Sequence, residues 1–365
     1  MPKARPAPDM WMIAAVLAIL AFGLVMVYSS SAVLALREHG DAFYYLKRQL
    51  LFAALGVGMM AFMAGIDYRV LKKHAPALLI ACFALLVIVL IPGVGVVRGG
   101  ARSWLGIGSF GIQPSEFMKL AMIVFMAKHL ADRQQEIGAF TRGLLPPLAI
   151  LGAAFGLIML QPDLGSGAVM VGAAMLVIYA AGARMLHLGA LAGIGALGLA
   201  ALIIAEPYRM KRITGFLDPW QDPLGSGYQI IQSLYAIGPG GLIGLGLGES
   251  RQKYSYLPEP QTDFIFSILA EELGFIGASG LILLFLILIW RGLRTAIAAP
   301  DAFGSLLAVG ITGIIAVQVF INIGVVIGLL PITGITLPLV SYGGSSLTLM
   351  LTALGILLNI SRYAR

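Results

Sequence analysis

Charge and cysteine are scarce in this chain. Only 11% of its 365 residues are Asp, Glu, Lys or Arg, while 59% are hydrophobic. A soluble domain carries roughly a quarter charged residues, so a soluble globular protein is excluded. The single cysteine, Cys82, lies inside an apolar run. It rules out a disulfide within the chain and suits a packing role. His39, His74, His129 and His187 are scattered near helix ends, and none has the spacing of zinc ligands. The glycines between 238 and 248 match neither GxxxxGK[ST] nor a strand–turn–helix unit, so no nucleotide site is indicated. Low-complexity runs and transporter-type internal repeats are missing as well.

What the chain has is apolar length. Its mean hydropathy is +0.94, and runs long enough to cross a bilayer recur from end to end. Ten spans are expected, at roughly 10–33, 49–66, 75–93, 114–130, 144–160, 166–182, 186–205, 263–291, 303–329 and 338–361. The first, preceded by Lys3 and Arg5 and carrying Trp11, reads as a retained helix, not a removed signal peptide. The expected fold is an all-α integral membrane protein, one polytopic domain over 1–365, with a large extracytoplasmic loop over 206–262.

Orientation follows from the basic residues. With an even span count, Lys3, Arg5, Arg69, Lys72, Lys73, Lys128, Arg133, Arg142, Arg184, Arg291, Arg294, Arg362 and Arg365 share one side. Arg37, Lys47, Arg48, Arg98 and Arg102 occupy short loops on the other. Both termini are therefore expected in the cytoplasm. The net charge of +7 is explained by this flanking pattern, and nothing resembles a nucleic-acid surface.

Charges and broken backbone gather on the outer side, where position is informative because charge in a bilayer is costly. The stretch 98–125 begins as a glycine-interrupted segment, expected to dip re-entrantly into the outer boundary with Trp104 as anchor. Pro114 and Ser115 then start a helix with Glu116 in its first turn, and Lys119 follows on the same face. That pair reads either as an internal ion pair or as part of a substrate site. "QPDLGSG" (161–167) places Asp163 and Ser166 in a capping position. "PITGITLPLVSYGGSS" (331–346) breaks the entry to the last span and offers Ser341, Tyr342, Ser345 and Ser346. The long loop mixes Arg212 and Lys253 with aromatics, and its middle is amphipathic and partly helical. Its glycines suggest flexible backbone near a bulky substrate. "LPEPQTDFIFSILAEE" (257–272) sets Asp263 at a helix mouth, with Glu271 and Glu272 deeper. Asp263 reads as a helix N-cap beside Thr262 or as a functional acid.

Six ordered blocks carry a resemblance: "GARSWLGIG", "QPSEFMKL", "QPDLGSG", "RITGFLDPWQDPLGSGYQIIQSL", "LPEPQTDFIFSILAEELGFIG" and "LPLVSYGGSS". Together they resemble the SEDS family of bacterial membrane glycosyltransferases, the FtsW, RodA and SpoVE group, over nearly the whole chain. "VYSSSAV" and "KYSYLPEPQTDFIF" are closer to the division and sporulation members. The resemblance implies ten transmembrane helices in the bacterial cytoplasmic membrane. It implies polymerisation of lipid II, the undecaprenyl-diphosphate-linked disaccharide-pentapeptide, alongside a class B penicillin-binding protein. It also places the family's essential acid on Asp263, its arginine and tryptophan on Arg102 and Trp104, and its lysine on Lys119.

The chemistry fits these residue types. A sugar hydroxyl attacking an anomeric carbon needs a base, whereas a diphosphate leaves without a second carboxyl as acid. Asp263 is the candidate base. Arg102, Lys119, Arg212 and Lys253 are candidate cations for the diphosphate. No cofactor is called for, although a divalent ion (Mg2+ or Mn2+) could assist. A lipid II flippase and a scaffold for the cross-linking enzyme are the competing functions.

Overall fold

The computed structural model describes residues 7–98, 101–107, 110–254 and 256–364. Lys3, Arg5 and Arg365 fall outside them. The chain is a helical bundle whose elements run α1 (Met10–His39), α2 (Tyr44–Gly65), α3 (Arg69–Leu90), β1 (Gly95–Arg98), β2 (Ala101–Ile107), β3 (Phe110–Ile112), α4 (Pro114–Asp132), α5 (Leu145–Met159), α6 (Leu164–Ala180), α7 (Met185–Ile204), α8 (Pro207–Leu217), α9 (Tyr228–Gly240), α10 (Ile265–Ile297), α11 (Ala302–Val326) and α12 (Gly344–Ser361).

Among the described residues, eight helical segments are long and apolar enough to span a membrane. The apolar α6 is one residue too short for that measure at 17 residues, and α4 carries Glu116, Lys119, Lys128 and Asp132. Both are largely buried among their neighbours, so protein replaces lipid around Glu116 and Lys119. With them, the ten segments expected from the hydropathy pattern are all helical. α11 and α12 lie at the centre, and no residue of α7 is buried.

Helix ends follow local chemistry. Asp9 caps α1 by accepting from Met12 N at 3.1 Å, and Gly40 closes it in the left-handed region at φ 69°. Asp301 caps α11 through Gly304 N at 2.8 Å. The segment expected to enter the membrane as irregular re-entrant loop instead forms an antiparallel sheet in the order β1-β2-β3. Alternating residues in "ARSWLGI" explain it: Ser103 is buried on one face while Arg102 and Trp104 share the other. Ladder hydrogen bonds satisfy backbone that a membrane loop would leave bare.

The long loop carries α8 and α9, and its glycine-rich continuation inserts into a break in α10. Gly274 leaves helical geometry at φ 62° and ψ −164°. The carbonyls released at Glu271 and Glu272 accept from Leu245 N and Gly246 N, each at 3.0 Å. Beyond the break, Phe275 N and Ile276 N donate to Gly241 O (2.9 Å) and Leu242 O (3.1 Å). A Cβ on Gly244 would lie 2.2 Å from Glu272 O, so these glycines serve close backbone contact with α10. The expectation of flexible backbone near substrate is corrected at Gly240 and Gly244: a side chain at either would collide with the backbone of α10, as one at Gly274 would with the loop.

Both described chain ends lie at one end of the bundle. Asp9 N donates to Ser361 Oγ at 3.1 Å, and Arg291 Nε donates to the Asp9 carboxylate at 2.7 Å. Tyr68 and Arg69 join Asp301 there, where Tyr68 donates a short hydrogen bond. The long loop, the sheet and the 331–343 segment occupy the opposite end.

Gly274→Ala should lower the thermal midpoint of the detergent-solubilised protein by several degrees. Only glycine adopts its φ/ψ region readily, and a Cβ there would sit 2.4 Å from Gly244 N. Gly280→Ala, where a Cβ meets nothing within 4 Å, is the control and should leave the midpoint unchanged in the same melt.

Candidate active site

Asp263 stands two residues before α10 at the long-loop end. It does not cap the helix: the cap position is Phe264, with no side-chain cap bond. Its position is fixed through its own and neighbouring backbone. Asn322 of α11 donates to Asp263 O at 2.8 Å and to Ile335 O at 2.7 Å. Ser341 Oγ donates to Thr262 O at 2.6 Å, and Tyr342 N donates to Gln261 O at 2.8 Å. The 331–343 segment thus runs alongside 261–263. Gln49 of α2 secures it from behind, donating to Ser341 O at 3.0 Å and accepting from Gly343 N at 3.2 Å. A Cβ on Gly334 would lie 3.6 Å from the Asp263 carboxylate.

The Asp263 side chain is half-buried, and among the described residues none donates a hydrogen bond to it. Burial pushes its carboxyl up, Glu259 pushes it further, and Arg212 pulls it back, leaving it at about 6. Arg212 comes from α8, donates to Ile332 O at 2.9 Å and lies 4.5 Å from the Tyr208 ring centroid. Among the described residues no carboxylate forms a salt bridge with it. The fold therefore sets an unengaged acid near an unneutralised cation.

The deeper acids are the opposite case. Glu271 accepts from Ser250 Oγ (2.5 Å) and Arg251 N (2.9 Å). Glu272 accepts from Ser29 Oγ on α1 (2.6 Å) and from Lys253 Nζ (3.3 Å). Both carboxylates are buried, and every contact named here ties the 248–253 loop or α1 to the break in α10. Lys253, expected to meet the diphosphate, is turned inward to Glu272 and Gly248 O and is 6% exposed. An ammonium buried beside a carboxylate gains more from that pairing than from a site it would have to unfold to reach.

Of the two readings of Glu116 and Lys119, the structure shows the ion pair, at 2.8 Å, with Lys119 3% exposed. The cavity beside it, lined by Leu120, Ile311, Met350 and Ala353, holds about 20 Å³. One water fits that volume; a diphosphate does not. Asp163 caps α6 through Ser166 N at 3.0 Å and binds Gln113 and Ser115 at 2.9 Å each, tying α6 to α4. Ser341 spends its hydroxyl on Thr262 O and Leu337 N. Ser345 is buried in the first turn of α12. Arg102 and Trp104 lie on the sheet, which packs against α3, α4 and α12. Among the described residues, no group of three His, Cys, Asp or Glu is placed to hold a metal ion.

Gln49, Asn322 and Glu259 were not singled out in the sequence. A signal existed for one of them. Gln318 and Asn322 are polar residues four apart in an otherwise apolar span, and both are buried. Gln49 acts through bonds to Ser341 and Gly343, a distant segment that no local pattern announces.

Replacing Lys253 by Met leaves Glu272 a buried, partly unpaired charge. Stability should fall by about 3–5 kcal/mol. The double variant Lys253→Met/Glu272→Gln should recover much of that loss, as read by thermal unfolding in detergent.

Helical spans packed around a polar, carboxylate-bearing end define an all-α polytopic membrane protein. The FTSW_RODA_SPOVE model, described as "Cell cycle protein", matches residues 10–365, and the chain belongs to this family. It is 59% identical to "Stage V sporulation protein E" of Bacillus subtilis (strain 168), over 100% of both chains. It is 44% identical to "Probable peptidoglycan glycosyltransferase FtsW" of Geobacter sp. (strain M18), over 98% of this chain and 97% of that one. A solved structure described as "Structural coordination of polymerization and crosslinking by a peptidoglycan synthase complex" contains a similar chain. That chain has TM-score 0.80 and 35% identity, with 98% of each chain covered.

Proposed function

We propose that this chain is a peptidoglycan glycosyltransferase that polymerises lipid II into β-1,4-linked glycan, with Asp263 as general base. The observation that carries the reading is the Asp263 carboxylate itself. It is free of hydrogen bonds from described residues, partly exposed, and held near Arg212. A base needs an available lone pair and a pKa near the working pH; Glu271, Glu272, Glu116 and Asp163 have their oxygens engaged.

In the proposed reaction the acceptor's 4-hydroxyl gives its proton to Asp263 as its oxygen attacks the anomeric carbon of the donor. The anomeric carbon–oxygen bond breaks and the diphosphate leaves with the electron pair. In-line displacement turns the α-linked donor into a β-linkage. Arg212, the cation whose charge acts on Asp263, is the candidate to meet the charge that develops on the diphosphate. Arg102 and Trp104, on the sheet, belong to the same end of the bundle. Both termini are cytoplasmic in this reading, which sets Asp263 at the outer face, where sugars are wet and lipid tails remain in the bilayer. A class B penicillin-binding protein is the partner proposed to cross-link the product.

Asp263→Asn should reduce polymerisation of lipid II by about 10²–10⁴-fold. The assay uses purified protein in detergent with its cognate penicillin-binding protein blocked at its own catalytic site. Near-normal glycan from that variant would overturn the assignment. A protein that moves lipid II across vesicles but makes no polymer would point to a flippase instead.

The pH profile gives a second check. Only ionised Asp263 accepts a proton, so kcat/KM should be flat above about pH 6 and fall below it. Arg212 lowers this pKa and Glu259 raises it. Arg212→Gln should therefore move the acid limb to higher pH, and Glu259→Gln should move it lower.

A further inference from the structure

A series of rings leads away from the Asp263 segment, and neither the family nor the base assignment accounts for it. Tyr342, whose N–H is held by Gln261 O at 2.8 Å, meets Tyr45 edge-on, with centroids 5.0 Å apart at 85°. Tyr45 meets Tyr44 in the same manner, at 5.3 Å and 88°. Tyr44 in turn stacks on His39 at 3.8 Å. The three tyrosines are half-buried and His39 is exposed. They come from the end of α1, the start of α2 and the 331–343 segment.

Polar groups rim these rings. Tyr45 donates to Glu38 Oε2 at 3.2 Å, and Arg48 Nη1 donates to the Tyr44 hydroxyl at 2.7 Å. Glu259 lies within electrostatic reach of both Tyr45 and Asp263. Half-exposed aromatic faces bordered by carboxylates and a guanidinium suit one ligand chemistry above others. A pyranose presents C–H bonds on its face and hydroxyls at its edge. The electron-rich ring face attracts the former, and the charged rim bonds the latter. A lipid chain offers this rim no hydroxyl to bond.

The geometry points to Tyr45 and Tyr342 as a subsite for the sugars of the acceptor, a β-1,4-linked amino-sugar disaccharide. This inference rests on the reading of Asp263 as base. Arg212 and the rings contact opposite ends of the 331–343 segment, Arg212 at Ile332 and the rings at Tyr342. In an in-line displacement the attacking hydroxyl and the departing diphosphate lie on opposite sides of the anomeric carbon. With the diphosphate toward Arg212, the acceptor's sugars extend toward Tyr342 and Tyr45.

The test reads binding and turnover separately. Saturation-transfer NMR with the lipid-free N-acetylglucosamine–N-acetylmuramic acid disaccharide should show transfer from the wild type and from Asp263→Asn. Tyr45→Leu and Tyr342→Leu, each folded by its thermal melt, should lose that signal. In the polymerisation assay each should raise the KM for lipid II by about tenfold, the equivalent of about 1.4 kcal/mol, with a much smaller change in kcat. Tyr45→Phe keeps the ring, loses the bond to Glu38, and should restore both signal and KM. A Phe variant as impaired as the Leu variant would assign the effect to the Glu38 bond and overturn the subsite. Leu variants that still bind the disaccharide would overturn it too, and so would a change confined to glycan length at unaltered KM. In each of these cases the base assignment stands or falls on Asp263→Asn alone, so the two failures are distinguishable.

Discussion

The break in α10 is the constraint from which the rest of this architecture follows. A helix interrupted within a membrane exposes two carbonyls and two N–H groups that lipid cannot satisfy. Here the 241–246 backbone satisfies all four. Adjacent carboxylates at the same level, Glu271 and Glu272, are matched by Ser250, Arg251 N, Ser29 and Lys253. The long loop is thereby stitched into the bundle and does not float above it. Asp263 lies between the stitched loop and the helix, so its position rests on bonds made about two and a half turns deeper together with those that Asn322, Ser341 and Tyr342 make at its own level.

Charge in this protein divides into what is committed and what is left available. Glu116 with Lys119, Glu272 with Lys253, and Asp163 with Gln113 and Ser115 are buried or half-buried and engaged. Each is costly to bury alone and affordable only when paired. Asp263 has no such partner, and its neighbours shift its proton affinity without neutralising it. Arg212 is likewise held by a carbonyl and a ring. A frame of engaged groups thus surrounds an acid that no described residue bonds and a cation that no described carboxylate neutralises.

Much of the fold was legible in the sequence because membrane insertion imposes a coarse rule on every span. The ten apolar runs, the cap at Asp163, and the burial of Cys82 all follow from hydropathy and short-range hydrogen bonding. The first half of 98–125 reads as loop because its glycines mask the alternation of "ARSWL", and pairing between strands is needed to reveal it. Lys253 and Lys119 looked like substrate cations because composition shows a charge but not its partner. Glycines 240 and 244 looked flexible for a similar reason: the backbone they touch lies about 30 residues away.

The sequence by itself determined that this chain lives in a membrane, where its apolar helices fall, which family it resembles and which acid to suspect. Those properties are carried by local composition and by motifs a few residues long. The tertiary structure decided which charges are spent on one another and which remain free. It also decided that Gln49, Asn322 and Ser341 hold the Asp263 segment, and that Tyr45 and Tyr342 meet beside it. Those are contacts between residues tens to hundreds of positions apart, and they exist only once the helices have packed.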